Sequence, residues 1–256
     1  MIHRTFRKSG LIEKRMTVIH GQTVPYIVKR SLRAKHTRLE VKQQTGLTVV
    51  IPYSYKDGQL PKLLESKGRW ILSTLAKHSR VESLSAKKGL KNGEAIPYLG
   101  RDLEIVIRDN TGIDSVTVQH NRLIVTLRSQ GNGILELALE RWYRMQATKL
   151  IKERAEKLST QLGLTCNELV IRGQKTRWGS CSRKRNLSFN WKLMMAPEPV
   201  IDYVIIHELS HLKEMNHSKK FWEIVAKHCP RWREHRKWLK EHEVQLAAKL
   251  PTRSWH

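Results

Sequence analysis

Apolar positions change their rhythm along the chain. Tyr26-Ile27-Val28, Arg38-Leu39-Glu40-Val41 and Leu47-Thr48-Val49-Val50-Ile51 are short runs rich in β-branched and aromatic residues, and they predict strands. Thr45-Gly46 supplies a hairpin turn and Pro52 ends the run. Leu60, Leu63, Leu64, Trp70, Ile71, Leu72 and Leu75 then recur at helical spacing and predict a helix over 59–78, broken near Gly68. A Gly/Lys loop over 87–100 separates it from strands at 103–108, 116–120 and 123–127, the last two joined by a turn at His120-Asn121. Past a break at 131–133 the period becomes helical again. Leu135, Leu139, Trp142, Ala147, Leu150, Ile151 and Leu158 predict a long helix over 134–162, with Gly163 as its C-cap. Leu169-Val170-Ile171 and Leu187-Ser188-Phe189-Asn190-Trp191 read as strands around the polar turn 182–186, and three helical patterns follow. No internal repeat is visible in the residues. The expectation is an α+β chain with a loose basic arm over 1–20, a β-rich subdomain with one helix over 21–130, and a helical half over 131–256.

The first of those last three helices carries the candidate chemistry. Ile201, Ile205, Leu209 and Leu212 make a core-facing stripe, while Tyr203, His207 and His211 make an adjacent one. Pro197 and Pro199 suit the first turn, where a missing N–H costs little. His207 and His211 stand four apart, so both imidazoles project from one face. Two imidazoles on one face suit Zn²⁺, which takes nitrogen at about 2.0–2.1 Å. Glu208, turned by about 100° from His207 on an ideal helix, belongs beside such an ion, where a general base for a metal-bound water would sit. An open catalytic site needs a third protein ligand. His217 is the candidate, placed where the pattern stops after Lys213. Asn216 tolerates a left-handed backbone that would reverse the chain, and Ser218 would cap the next helix, with Phe221, Trp222 and Val225. Two histidines on a helix also occur as plain surface residues, and the pentapeptide alone is a weak signal. Placement on an amphipathic helix gives it weight. His228, His235 and His242 read as surface residues.

A second segment adds specificity. Thr176-Arg177-Trp178-Gly179-Ser180-Cys181 precedes the strand 187–191, and Ala196-Pro197, Asp202-Tyr203-Val204, His207-Glu208-Leu209-Ser210-His211-Leu212, Asn216-His217-Ser218 and Phe221-Trp222 follow in order. In this combination the chain resembles the YgjP-like metal-dependent hydrolases, grouped with SprT-like zinc metallopeptidases. The likeness continues in weaker form through 30–38, the Trp70 region and 93–100. It implies a zincin-like catalytic half, Zn²⁺ as cofactor, His207, His211 and His217 as ligands and Glu208 as the catalytic group. The histidine spacing equals that of metzincins, but Glu214 stands at their glycine position, so the turn should differ.

Other residues near the motif keep two readings. The strand 187–191 can offer an edge to an extended peptide, or its hairpin is structural, with Trp178 and Trp191 in the core. Asn190 belongs to the same strand as a candidate site-lining residue. Arg177 can steady a developing oxyanion or hold an anionic group, or serve in an ion pair. Tyr203 lies one turn before His207 and either touches the site or packs.

Charge widens the range of partners. Lys and Arg number 48 against 23 Asp and Glu, a formal net charge of +25. Such a field draws polyanions, including non-specific nucleic acid. It also suits a nucleotide substrate, so phosphoanhydride hydrolysis stands beside peptide hydrolysis, although no P-loop is present. A third reading is a nucleic-acid-binding protein with a non-catalytic zinc site; a closed structural site would need a fourth ligand, and none is evident near the motif. Three scattered cysteines form no disulfide framework. The N-terminal stretch 1–22 lacks the apolar run of a signal peptide, and no stretch approaches 18 apolar residues. A cytoplasmic protein without a membrane span is expected.

Overall fold

A computed structural model describes residues 5–7, 10–42, 45–86, 90–109, 111–129, 131, 133–174 and 177–250. Thr176 of the quoted motif, residues 1–4, 8 and 9 of the expected arm and 87–89 of the expected loop lie outside these. The chain divides into two compact units, 1–83 and 84–256.

The first unit is built on a five-stranded sheet. Its strands are β1 (Thr5–Arg7), β2 (Gly10–Ile19), β3 (Gln22–Ser31), β4 (Arg38–Lys42) and β5 (Gly46–Pro52), ordered β1-β2-β3-β5-β4. The expected arm over 1–20 is therefore corrected, because its described residues include β1 and β2. β2 and β3 form an antiparallel hairpin that turns at His20-Gly21, with φ of 47° and 79°. β3 runs parallel to β5, and β4 closes the edge antiparallel. Alternation decides the buried face: Val24, Tyr26 and Val28 of β3 meet Leu47, Val49 and Ile51 of β5. Two helices complete this core, α1 (Leu60–Ser66) and α2 (Gly68–Ala86), through Leu60, Leu64 and Ile71. The predicted break falls at Lys67. α2 begins at Gly68, where an added Cβ would lie 2.5 Å from the Ile19 side chain and 2.7 Å from the His20 ring.

The second unit opens on the same plan. Its strands β6 (Ala95–Tyr98), β7 (Arg101–Asp109), β8 (Ser115–Gln119) and β9 (Arg122–Leu127) are ordered β6-β7-β9-β8. β6 and β7 make an antiparallel hairpin, β7 runs parallel to β9, and β8 closes the edge antiparallel. Strand for strand, this is the pairing of β2-β3-β5-β4. A repeat that the residues do not display is thus present in the topology, and only inward positions such as Val24 and Tyr26 against Leu103 and Ile105 echo it. The expected loop over 87–100 is corrected too, since β6 occupies its end.

The rest of the chain joins this second sheet in one core. α3 (Ile134–Leu162) ends at left-handed Gly163, as predicted. Its buried Leu139, Trp142, Tyr143, Ala147 and Ile151 share a cluster with Leu103, Ile105, Leu123 and Val125. The domain boundary therefore falls at 83/84 and not near 130, where the change of period placed it. A third sheet holds β10 (Glu168–Arg172), β11 (Gly179–Cys181) and β12 (Asn186–Asn190), ordered β10-β12-β11. β10 pairs parallel with β12, and the hairpin lies between β11 and β12. The sequence reading missed β11, whose three residues are too few to show a period. A buried 3₁₀ turn over Trp191–Met195 leads to α4 (Glu198–Ser210), α5 (Lys219–His228) and α6 (Trp232–Lys249). The chain is an α+β protein.

Candidate metal centre

α4 is held from several sides. Ile201, Ile205 and Leu209 are fully buried, each worth about 1.5–3 kcal/mol of apolar burial. Arg154 of α3 donates to Asp202 at 2.8 Å and also pairs with Glu198, fixing the first turn. Pro197 precedes the helix and meets the β6–β7 turn. An added Cβ on Gly100 would lie 2.9 Å from the Pro197 Cα, and φ at Gly100 is +81°, a conformation that suits glycine.

The three histidines meet at the end of α4. Their ligand atoms lie within 4.8 Å of one another, and His207 Nε2 and His217 Nε2 are 3.1 Å apart. Nitrogens sharing a tetrahedral Zn²⁺ would stand about 3.3 Å apart, given Zn–N near 2.0–2.1 Å, so the donor set fits such an ion. Burial, with His211, His217 and Arg236 nearby, lowers His207 to about 3. Burial likewise lowers His211. Both imidazoles are therefore neutral near pH 7, the form in which nitrogen offers a lone pair. His211 Nδ1 donates to the Glu214 carbonyl at 3.1 Å, which turns Nε2 towards the cluster. His207 Nδ1 is buried without a hydrogen-bond partner among the described residues.

A short turn returns His217. Glu214 N bonds to the Ser210 carbonyl at 3.0 Å and Ser218 N to the Asn216 carbonyl at 2.8 Å. Neither Glu214 nor Asn216 takes a positive φ, so the left-handed backbone expected at Asn216 is corrected. The reversal runs through ordinary backbone, which explains how Glu214 replaces a glycine. Ser218 caps α5 as predicted, its hydroxyl accepting from Phe221 N at 3.4 Å. Phe221 then stacks on His211 with centroids 4.5 Å apart, and Trp222 stacks on His217 at 5.7 Å. Trp222 in turn lies on Trp232 at 4.2 Å. These rings limit how far each imidazole can swing.

Glu208 lies beside the cluster on a buried face, 6% exposed. Burial pushes its carboxyl up to about 8, while the positive Arg177 pulls it back. Gly179 of β11 lies against it. A Cβ there would lie 2.6 Å from Glu208 Cγ and 2.7 Å from Oε1. Gly179 is thus a site residue that the sequence reading quoted but gave no role. A glycine next to Trp178, in the motif that leads to the strand 187–191, was the available signal.

The remaining candidates divide. Arg177 is exposed and its charge reaches Glu208. Asn190 is 3% exposed, and its Nδ2 donates to the carbonyls of Gln174 and Arg177 at 2.7 and 3.1 Å. It holds the loop that carries Arg177 and Trp178. Trp178 is half-buried against the core. Tyr203 is buried, its ring edge-on to His207 at 5.9 Å and tilted to His235 at 6.3 Å. His228, His235 and His242, expected at the surface, are half-buried; His242 stacks on Trp238 with centroids 4.1 Å apart and hydrogen-bonds its carbonyl. The edge strand nearest α4 is β11, because β12 lies between two partners.

Residues 35–242 match the model of a family described as YgjP-like, metallopeptidase domain. The chain belongs to the YgjP-like family. That match covers most of the chain and makes this protein a metallohydrolase of the metallopeptidase class. No curated protein matches it. Two solved structures are similar over 36% of the chain. One is the metallopeptidase zymogen of Pyrococcus abyssi abylysin, with 26% identity, TM-score 0.34 and 95% of that chain covered. The other is the metallopeptidase zymogen of Methanocaldococcus jannaschii jannalysin, with 23% identity, TM-score 0.33 and 96% covered. Among the described residues of this YgjP-like metallopeptidase, no helix is long and apolar enough to cross a membrane, and Cys166, Cys181 and Cys229 are free thiols.

Proposed function

We propose that this YgjP-like metallopeptidase is a zinc-dependent peptidase in which His207, His211 and His217 hold the ion and Glu208 moves the proton. The observation that carries the reading is one cluster, three imidazoles whose ligand atoms lie within 4.8 Å beside a carboxylate buried against Gly179. Bound zinc supplies Lewis-acid polarisation of a carbonyl and brings the pKa of water towards about 7. The Glu208 carboxylate accepts a proton from the attacking water and returns it to the leaving amine nitrogen. β11 offers the free edge along which an extended peptide can pair, and Arg177 stands exposed at the entrance to that strand. Tyr203 and Asn190 act by packing and by holding the loop, without touching substrate. The free thiols fit a cytoplasmic setting.

The test is an activity screen of zinc-loaded protein against peptides and nucleotides, with Glu208→Gln alongside. Peptide release that falls about 10²–10⁴-fold in the variant is expected, from the usual contribution of a general base, with zinc content unchanged. Release of pyrophosphate from nucleotides without peptide cleavage would replace the peptidase reading. Full turnover by Glu208→Gln would remove Glu208 from the mechanism.

A further inference from the structure

The first unit holds a groove of about 530 Å³ lined by Thr37, Arg38, Leu39, Leu63, Lys67 and Trp70. Its size lies in the range of small-ligand sites. Leu39 and Leu63 supply apolar lining. Trp70 keeps 45% of its surface exposed, where a buried core would normally claim an indole. Arg38 and Lys67 are exposed beside it. No lining residue is acidic. The neighbouring Glu40 is shared between Arg38 and Lys42, each at 2.7 Å, so cations outnumber it. Residues 1–83 carry 17 Lys and Arg against 5 Asp and Glu. That is +12 of the total +25 in about a third of the chain. In the second unit the matching edge strand, β8, lies against α3, whereas beside β4 the groove is open.

We propose that this groove binds single-stranded nucleic acid, one base stacking on the Trp70 indole and the adjoining phosphates held by Arg38 and Lys67. A half-exposed indole sharing a groove with two cations is the combination that unpaired nucleotides recognise, since every base offers a π-face and every linkage a charge. A duplex hides its base faces, and an acidic peptide has no planar group for the indole. The groove lies outside the imidazole cluster, so the proposal stands whether or not that cluster hydrolyses peptides.

The test measures anisotropy of a labelled oligothymidylate of about 20 nucleotides with the full chain, a length suited to single-strand sites. Trp70→Ala is expected to weaken binding about 5- to 100-fold, from the usual loss of one base stack. Trp70→Phe is expected to retain most of it. Arg38→Gln with Lys67→Gln is expected to lower the slope of log K against log salt by about 1.4. Oligouridylate in place of oligothymidylate tests whether the 2′-hydroxyl adds affinity; either result leaves stacking on Trp70 in force only if Trp70→Ala weakens both. Unchanged binding by Trp70→Ala would overturn the proposal. So would equal displacement by polyglutamate, or equal affinity for a duplex that Trp70→Ala leaves intact. Should Trp70→Ala disturb the first unit's melting, the charge variants, both at exposed positions, decide by their salt slope.

Discussion

The sheets β2-β3-β5-β4 and β6-β7-β9-β8 share strand order and pairing, yet their hairpin turns support different things. In the first, Ile19 and His20 sit against Gly68 at the start of α2, and the unit ends with that helix. In the second, Gly100 sits against Pro197, nearly a hundred residues later, at the start of the helix that carries His207 and His211. The same frame therefore braces a plain covering helix in one place and the candidate metal helix in the other. A fold element supplies position, and chemistry comes from what is placed on it. Charge separates the two as well, since the first unit reaches +12 in 83 residues and the second needs 173 residues for the remaining +13.

The largest effect should come from cutting each core separately. Phe189→Ala, fully buried in the second unit, should cost about 3–5 kcal/mol and lower a thermal transition coincident with loss of hydrolysis. Val49→Ala in the first unit should lower a different transition and spare hydrolysis; one transition shifted by both would show that the units melt together. Next comes Gly179→Ala. It forces Glu208 aside and should reduce turnover about 10²-fold, the usual result of a 1 Å misplacement, with zinc content and circular dichroism unchanged. Gly100→Ala should follow at about 1–2 kcal/mol for the left-handed backbone alone, read by melting, with a further loss from the Pro197 contact. It should touch the second unit only.

The smallest effect at neutral pH is a slope. Lys192 is 5% exposed, and burial lowers its amine to about 8 despite nearby Glu140. Between about pH 8 and its unfolded value near 10.4, the unfolded chain binds more protons than the folded one. Stability of the second unit should therefore rise with pH through that window. Melting of Lys192→Met against pH should lack this rise, provided that the apolar variant keeps the fold.

Much of this was legible in the residues. The long helix over 134–162 carries seven apolar positions at one period and a glycine at its end, and it forms as predicted. The histidine cluster was legible because all three members fall within eleven residues, where helix geometry and a capped turn suffice. Gly179 was not, because its role is a contact across nearly thirty residues and a glycine has no side chain to announce it. The 83/84 boundary was hidden for a related reason. β6 to β9 have the period of the first half but share a core with the second, and periodicity reports an element's own faces without naming what covers them.

The tandem frame also bears on how the chain folds. Two sheets of one strand order in a single molecule invite exchange of strands while both are incomplete, the familiar failure of repeated domains. Their sequences resist it. Counted from the hairpin turns, Thr23 and Pro25 of β3 stand where β7 has Asp102 and Glu104, and Arg30 stands where it has Asp109, and the inward rows differ in volume, Tyr26 against Ile105. Divergence between the repeats, which concealed them from a reading of the residues, thus keeps each strand loyal to its own neighbours.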